Sequence, residues 1–285
     1  MVSNVDWSKA KTILIISFII INILLTFALF QDNQKVDATL EEEFISDAIR
    51  LLNNKNIILR TEIPKENPSL TALIVEYENI KLDRLNESFF EDKGTITTKD
   101  EGLGEIKYED EIITLVNRKL LLYESKKDTK QYNISSEEEA IKIAKEFLSS
   151  VNFDISDMEL SYVKTIEDTY YIEFSKIYNG RYLESAFTNI QLNNTGIKRL
   201  ERLWLNVIEE GESQIYISSA PKSILGLLSM NEVYGKTIKE ISLCHYFEPE
   251  KHDYIKDPQE AKEGRAIPAW RIQFEDGYKV FIDNY

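Results

Sequence analysis

Ser219-Ala220-Pro221-Lys222 has the Ser-x-x-Lys spacing that sets a nucleophilic serine one helical turn from its lysine. Such enzymes also need Ser-Asp-Asn and Lys-Thr-Gly, and neither is present; Gly235-Lys236-Thr237 runs in the wrong order. It is not a P-loop, because position 230 is Met where that motif needs Gly. The four residues at 219 read instead as a helix start, a serine cap with proline in the first turn. A general-base histidine would have to be His245 or His252, with no Gly-x-Ser-x-Gly elbow to accompany it. Cys244, His245 and His252 with Glu250 or Asp253 suggest a metal site only until strand geometry is considered: neighbours on a strand point to opposite faces. A buried Cys244 beside a half-exposed His245 is the simpler reading. Glu137, Glu138 and Glu139 resemble an acid-base cluster but open a helix, where they offset its dipole. The residues thus assign no catalytic group, no metal ligands and no cofactor.

Asn22 is different because of where it lies. Thr12 to Phe30 carries no charge across 19 residues, roughly 28 Å as a helix against a hydrocarbon core of ~30 Å. The stretch is expected to span a membrane. Lys9 and Lys11 precede it and Asp32, Lys35, Asp37 and Glu41 to Glu43 follow, so residues 1–11 are expected to form a cytoplasmic tail and the rest to face outward. The run is longer than a signal-peptide core, and Thr26-Phe27-Ala28 is its one candidate cleavage site, so it is expected to stay uncleaved. An amide in hydrocarbon needs a hydrogen-bond partner. At 100° per residue Thr12, Ile15, Ile19, Asn22, Thr26 and Leu29 share one side, which is the candidate face for a partner helix.

Composition limits the partners. Lysines and arginines number 34 against 49 acids, a net charge of −15. Removing Asp6, Lys9 and Lys11, together +1, leaves −16 for residues 31–285. Such a surface repels phosphate backbones, so nucleic acid is not an expected partner. The single cysteine excludes an intramolecular disulfide and any four-cysteine cluster.

The elements that must position these residues read as an α+β ectodomain of two to three helix-plus-antiparallel-sheet units behind one N-terminal transmembrane helix. Apolar spacing predicts a helix from Asp37 to Leu52, capped by Asp37 or Thr39, followed by strands at 56–63, 70–80, 95–99, 104–117 and 119–125. A second helix is predicted over 135–150, with strands at 158–166, 169–179, 182–193 and 197–209. A shortened third cycle has a helix at 218–230 and strands at 237–247, 266–276 and 278–285. Trp204, Trp270 and the tyrosines fall in strand-like runs and read as sheet packing. Gly104, Ile106, Lys107 and Glu109 are echoed by Gly196, Ile197, Lys198 and Glu201. Four segments follow: 1–11 cytoplasmic, 12–30 transmembrane, 31–130 a membrane-proximal α+β unit, and 131–285 a C-terminal α+β region.

Asp6-Trp7-Ser8-Lys9-Ala10-Lys11-Thr12-Ile13 at the start, and Tyr246-Phe247-Glu248-Pro249 with Ala266-Ile267-Pro268-Ala269-Trp270-Arg271-Ile272 near the end, resemble the YycI family. Ser135 to Leu148 resembles the helix of PepSY-like domains. The YycI resemblance implies a membrane-anchored regulator of Gram-positive bacteria working beside a YycH-like protein. Together these bind the sensor histidine kinase YycG, or WalK, of the system controlling cell-wall metabolism, largely through transmembrane helices. It also implies an α+β fold like the last two domains of YycH, and leaves the sign of regulation open. Two alternatives stand beside it: a PepSY-like inhibitor or chaperone of a secreted enzyme, and an enzyme with an acidic site, for which no motif speaks.

Overall fold

The computed structural model describes residues 7–32, 39, 41–66, 68–100, 102–248 and 263–283. The expected cap Asp37 and Glu250, His252 and Asp253 lie outside them. The chain opens with α1 (Trp7–Asp32), a 26-residue helix, followed by α2 (Glu42–Asn53). Strands β1 (Ile58–Leu59) and β2 (Ser69–Tyr77), α3 (Leu82–Phe90) and β3 to β6 (Thr95–Asp100, Leu103–Tyr108, Glu111–Val116, Leu120–Ser125) come next. Beyond α4 (Glu137–Ser150) lie β7 to β11 (Met158–Ile166, Thr169–Tyr178, Arg181–Asn193, Gly196–Leu203, Leu205–Tyr216). The four-residue α5 (Ala220–Ser223), two short 3-10 turns, β12 (Thr237–Tyr246), β13 (Glu263–Phe274) and β14 (Lys279–Ile282) close the chain.

The protein is α+β, and its helix-plus-sheet units share one continuous 14-stranded sheet. The reason lies in β2. Its Val75 pairs with Val207 of β11 on one side and with Gly264 of β13 on the other, so strands from the second half of the chain occupy both of its edges. β6 likewise pairs with β10, Tyr123 opposite Leu200. Pairing is antiparallel except where β12 meets β9 and β1.

Two apolar cores lie against this sheet. In the first, Ala140, Ala144 and Leu148 of α4 cover Ile172, Ile190 and Leu200, with Phe90 of α3 beside Ile106. In the second, Ile45, Ala48 and Leu52 of α2 meet Ile224, Ile241, Trp270 and Phe274. Each fully buried aliphatic or aromatic side chain contributes about 1.5–3 kcal/mol. The capping of α4 explains its sharp start: Ser136 Oγ accepts from the Glu139 backbone N–H at 3.3 Å, while the Glu139 carboxylate accepts from Ser135 N–H and Oγ–H, both at 2.9 Å. Those bonds hold the Glu139 carboxyl below its ordinary pKa.

Several expectations shift. Residues 56–63 supply only the two-residue β1. α2 starts at Glu42, with no side-chain cap. α3 is an element absent from the sequence reading; Leu82, Leu85, Phe89 and Phe90 fall on a helical period, but Lys81 gives no cap signal and a left-handed Glu91 (φ 51°) ends the helix without glycine. The single strand expected over 197–209 divides at Trp204 into β10 and β11, because the chain leaves β9 and crosses to β2. The third helix is reduced to α5 and 3-10 turns.

Candidate functional site

Every side chain described on α1, residues 11–26, is exposed. These 16 residues occupy about 24 Å of helix axis, short of a ~30 Å hydrocarbon core, and no helix among the described residues is by itself long and apolar enough to cross a membrane. The side chains of residues 27–30, the rest of the uncharged run, lie outside the described ones. Thr12, Ile15, Ile19, Asn22 and Thr26 lie on α1 as expected; the side chain of Leu29 is outside the described set. Asn22 Nδ2 donates to the Phe18 carbonyl at 2.8 Å, and Thr26 Oγ1 donates to the Asn22 carbonyl at 2.8 Å. The helix therefore satisfies part of the Asn22 amide by itself. One amide hydrogen and Oδ1 are left over from that bond.

The residues singled out for nucleophilic or metal chemistry separate. Cys244 is fully buried, with Sγ 3.5 Å from the Ala269 carbonyl, and burial pushes its thiol pKa well up. His245 is buried rather than half-exposed, because β2 passes over it: Nε2 donates to the Thr71 carbonyl at 2.9 Å. Burial lowers its pKa, so the ring is neutral at pH 7. Among the described residues no three potential ligands gather around a metal-sized site. Ser219 is buried and its hydroxyl pairs with that of Thr39 instead of capping α5, while Lys222 is exposed.

The described parts of the two C-terminal segments quoted above meet across β12 and β13, while Pro249 lies outside the described residues. Tyr246 pairs with Ile267 and Cys244 with Ala269, and Gly264 leaves room for the Phe247 ring, which a Cβ there would meet at 2.2 Å. Trp270 enters the second core and donates from Nε1 to the Ser218 carbonyl at 2.8 Å. Arg271 turns the other way, between β13 and β7 to β9. There Nε bonds Glu184 Oε1 at 2.6 Å, Nη2 donates to Ser161 Oγ at 2.9 Å and Gln273 Oε1 at 2.8 Å, and the guanidinium lies 4.1 Å over the Tyr182 ring. Glu240 stands 3.1 Å from Nη1. Burial opposes the Arg271 charge, but Glu184 and Glu240 outweigh it and raise its pKa. Lys279 extends the cluster to Glu173 and to Ser175 at 3.2 Å.

Above this buried layer opens a cleft of about 360 Å³, lined by β7 to β10 and the β13–β14 turn. Its floor is two cross-strand rows. One runs Lys164, Tyr171, Gln191, Arg199; the other runs Tyr162, Glu173, Asn189, Glu201. Ile172 and Ile190, between the rows, are buried. Asp276 and Gly277 form the rim, and Asp276 pairs with Lys236. Gly277 has φ +88°, and a Cβ there would stand 2.7 Å from the Tyr162 ring. Burial, aided by Asp276, Glu137 and Glu173, raises the Tyr162 pKa. None of these residues was a candidate from sequence. Their polar i, i+2 alternation on four strands was visible, but the register that joins them was not.

Residues 100–197 match the YcdB, YcdC repeated domain. That stretch runs from the end of β3 through α4 to the start of β10, about a third of the chain. No curated protein matches the sequence. Among solved structures, a protein of Eubacterium rectale is 14% identical with a TM-score of 0.49, covering 75% of this chain and 82% of its own. YycH from Bacillus subtilis is 12% identical with a TM-score of 0.49 over 74% of this chain, which spans 52% of the YycH structure. The C-terminal domain of YpeB from Bacillus megaterium is 10% identical with a TM-score of 0.41, covering 72% of this chain and 93% of that domain.

Proposed function

We propose that the chain is a single-pass regulator of the cell membrane, with its N-terminus cytoplasmic and its α+β body outside, acting by contact rather than by catalysis. The observation that carries this reading is α1. An apolar helix that leaves every described side chain off the body has an apolar surface that water does not solvate favourably, and lipid or another helix resolves that. Lys9 and Lys11 ahead of it and the acidic body behind it favour that orientation. With a YycH-like partner, the protein would bind a YycG/WalK-like sensor histidine kinase through the face of Thr12, Ile15, Ile19, Asn22, Thr26 and Leu29. This assignment of partners rests on the YycI-like segments at the two ends of the chain.

The match of residues 100–197 to a repeated domain favours a second reading, in which the body is a PepSY-like inhibitor or chaperone of a secreted enzyme and works apart from α1. Exchange of α1 for an unrelated transmembrane helix separates the two. Kinase output should change in the first case, whereas the second leaves it unaltered.

A further inference from the structure

We infer that the cleft over β7 to β10 binds a small zwitterion of the short-peptide class, with dipeptide size fitting it best. The inference stands on the cleft alone and is independent of how α1 is seated. The two rows on its floor differ in charge. Lys164 and Arg199 end the first, with Tyr171 and Gln191 between them; the second holds Glu201, Asn189, Tyr162 and Glu173. The protein already uses two of the nearby acids: Glu173 is paired with Lys279 and Asp276 with Lys236. Among the described residues Lys164, Arg199 and Glu201 have no ion pair, and Lys164 lies 5.5 Å over the Tyr171 ring. The floor therefore offers two cations on one row and one carboxylate on the other.

Spacing sets the length of the ligand. Rows two residues apart along a strand are separated by about 6.6–6.8 Å. Two extended residues span roughly 7 Å. A dipeptide laid along β10 would thus bring its carboxylate to Arg199 and its ammonium to Glu201, while Lys164, three strands or about 14 Å away across the floor, adds only long-range attraction. Asn189 and Gln191, side by side on β9, each carry a donor and an acceptor for the peptide group between the charges. The volume, about 360 Å³, is at the lower end of small-ligand pockets.

The test uses the full chain in detergent, titrated with dialanine, N-acetyl-dialanine and dialanine amide, with binding read by ligand-observed NMR. Saturable binding of dialanine with Kd on the order of 1 mM or tighter is expected, and each blocked form should bind about tenfold more weakly. Arg199→Gln should weaken dialanine binding about tenfold while leaving the melting temperature unchanged, since Arg199 is exposed and unpaired in the described structure. Lys164→Gln, three strands away, should change the affinity by no more than about twofold. Absence of saturable binding, equal affinity for the three compounds, or wild-type affinity in Arg199→Gln would overturn the assignment.

Discussion

Trp270 and Arg271, adjacent in β13, leave the strand on opposite faces and tie together two unlike environments. Trp270 is fully buried in the apolar core beneath α2, and Arg271 is equally buried among Glu184, Ser161, Gln273 and Tyr182. One strand thus joins an oil-like layer to an ionic one, an arrangement that follows from the period-2 alternation of strand side chains.

Arg271→Ala should therefore be far more damaging than a surface arginine change. It leaves Glu184 buried beside Lys279 alone, at 3.5 Å, and breaking a buried pair in this way costs about 3–5 kcal/mol. The urea midpoint of the full chain in detergent measures it. A midpoint like that of wild type would show that the cluster contributes little.

The pH dependence of stability should carry a contribution from His245. Its folded pKa lies below the ordinary value of 6.5, so the unfolded chain binds the extra proton first as pH falls. The stability gained by keeping the ring neutral is complete above about pH 6.5 and is lost as pH falls below that value. Unfolding curves for wild type and His245→Gln should converge in slope above pH 7 and diverge as pH falls below about 6.5, with wild type the steeper. Parallel curves throughout would contradict the buried neutral ring.

Gly277→Ala should destabilise the β13–β14 turn in two separable ways. The positive φ costs about 1–2 kcal/mol in any L-residue, and the new Cβ also meets the Tyr162 ring. Adding Tyr162→Ala removes the second contribution and leaves the first. A thermal-melt double-mutant cycle reads the coupling, and additive losses would mean that the ring gives way freely.

What the sequence made legible follows periodicity. α4 was readable residue by residue because Ser135, Ser136 and Glu137 to Glu139 mark its start and Ala140, Ala144 and Leu148 mark its buried face. β7 matches its expected limits because Asp154 to Asp157 and Glu167-Asp168 bracket it. α3 was missed because a short helix with Lys81 before it and Glu91 after it carries neither end signal. The cleft was missed for a deeper reason. Lys164, Tyr171, Gln191 and Arg199 are ordinary strand residues in one dimension, and only the pairing of four strands sets them in a row.

Asn22 offers the most direct test of contact through α1. Its bond to the Phe18 carbonyl satisfies part of the amide within the helix, so the interhelical share should lie near the average of about 0.6 kcal/mol, roughly threefold in pairing. The measurement is recovery of a YycG/WalK-like kinase and a YycH-like protein by affinity purification from membranes. Three chains are compared: wild type, Asn22→Leu, and one whose residues 12–30 are replaced by an unrelated apolar helix. Full recovery with wild type, about threefold less with Asn22→Leu and none with the replaced helix is the expected pattern. Equal recovery with all three would contradict a regulator that works through its membrane helix.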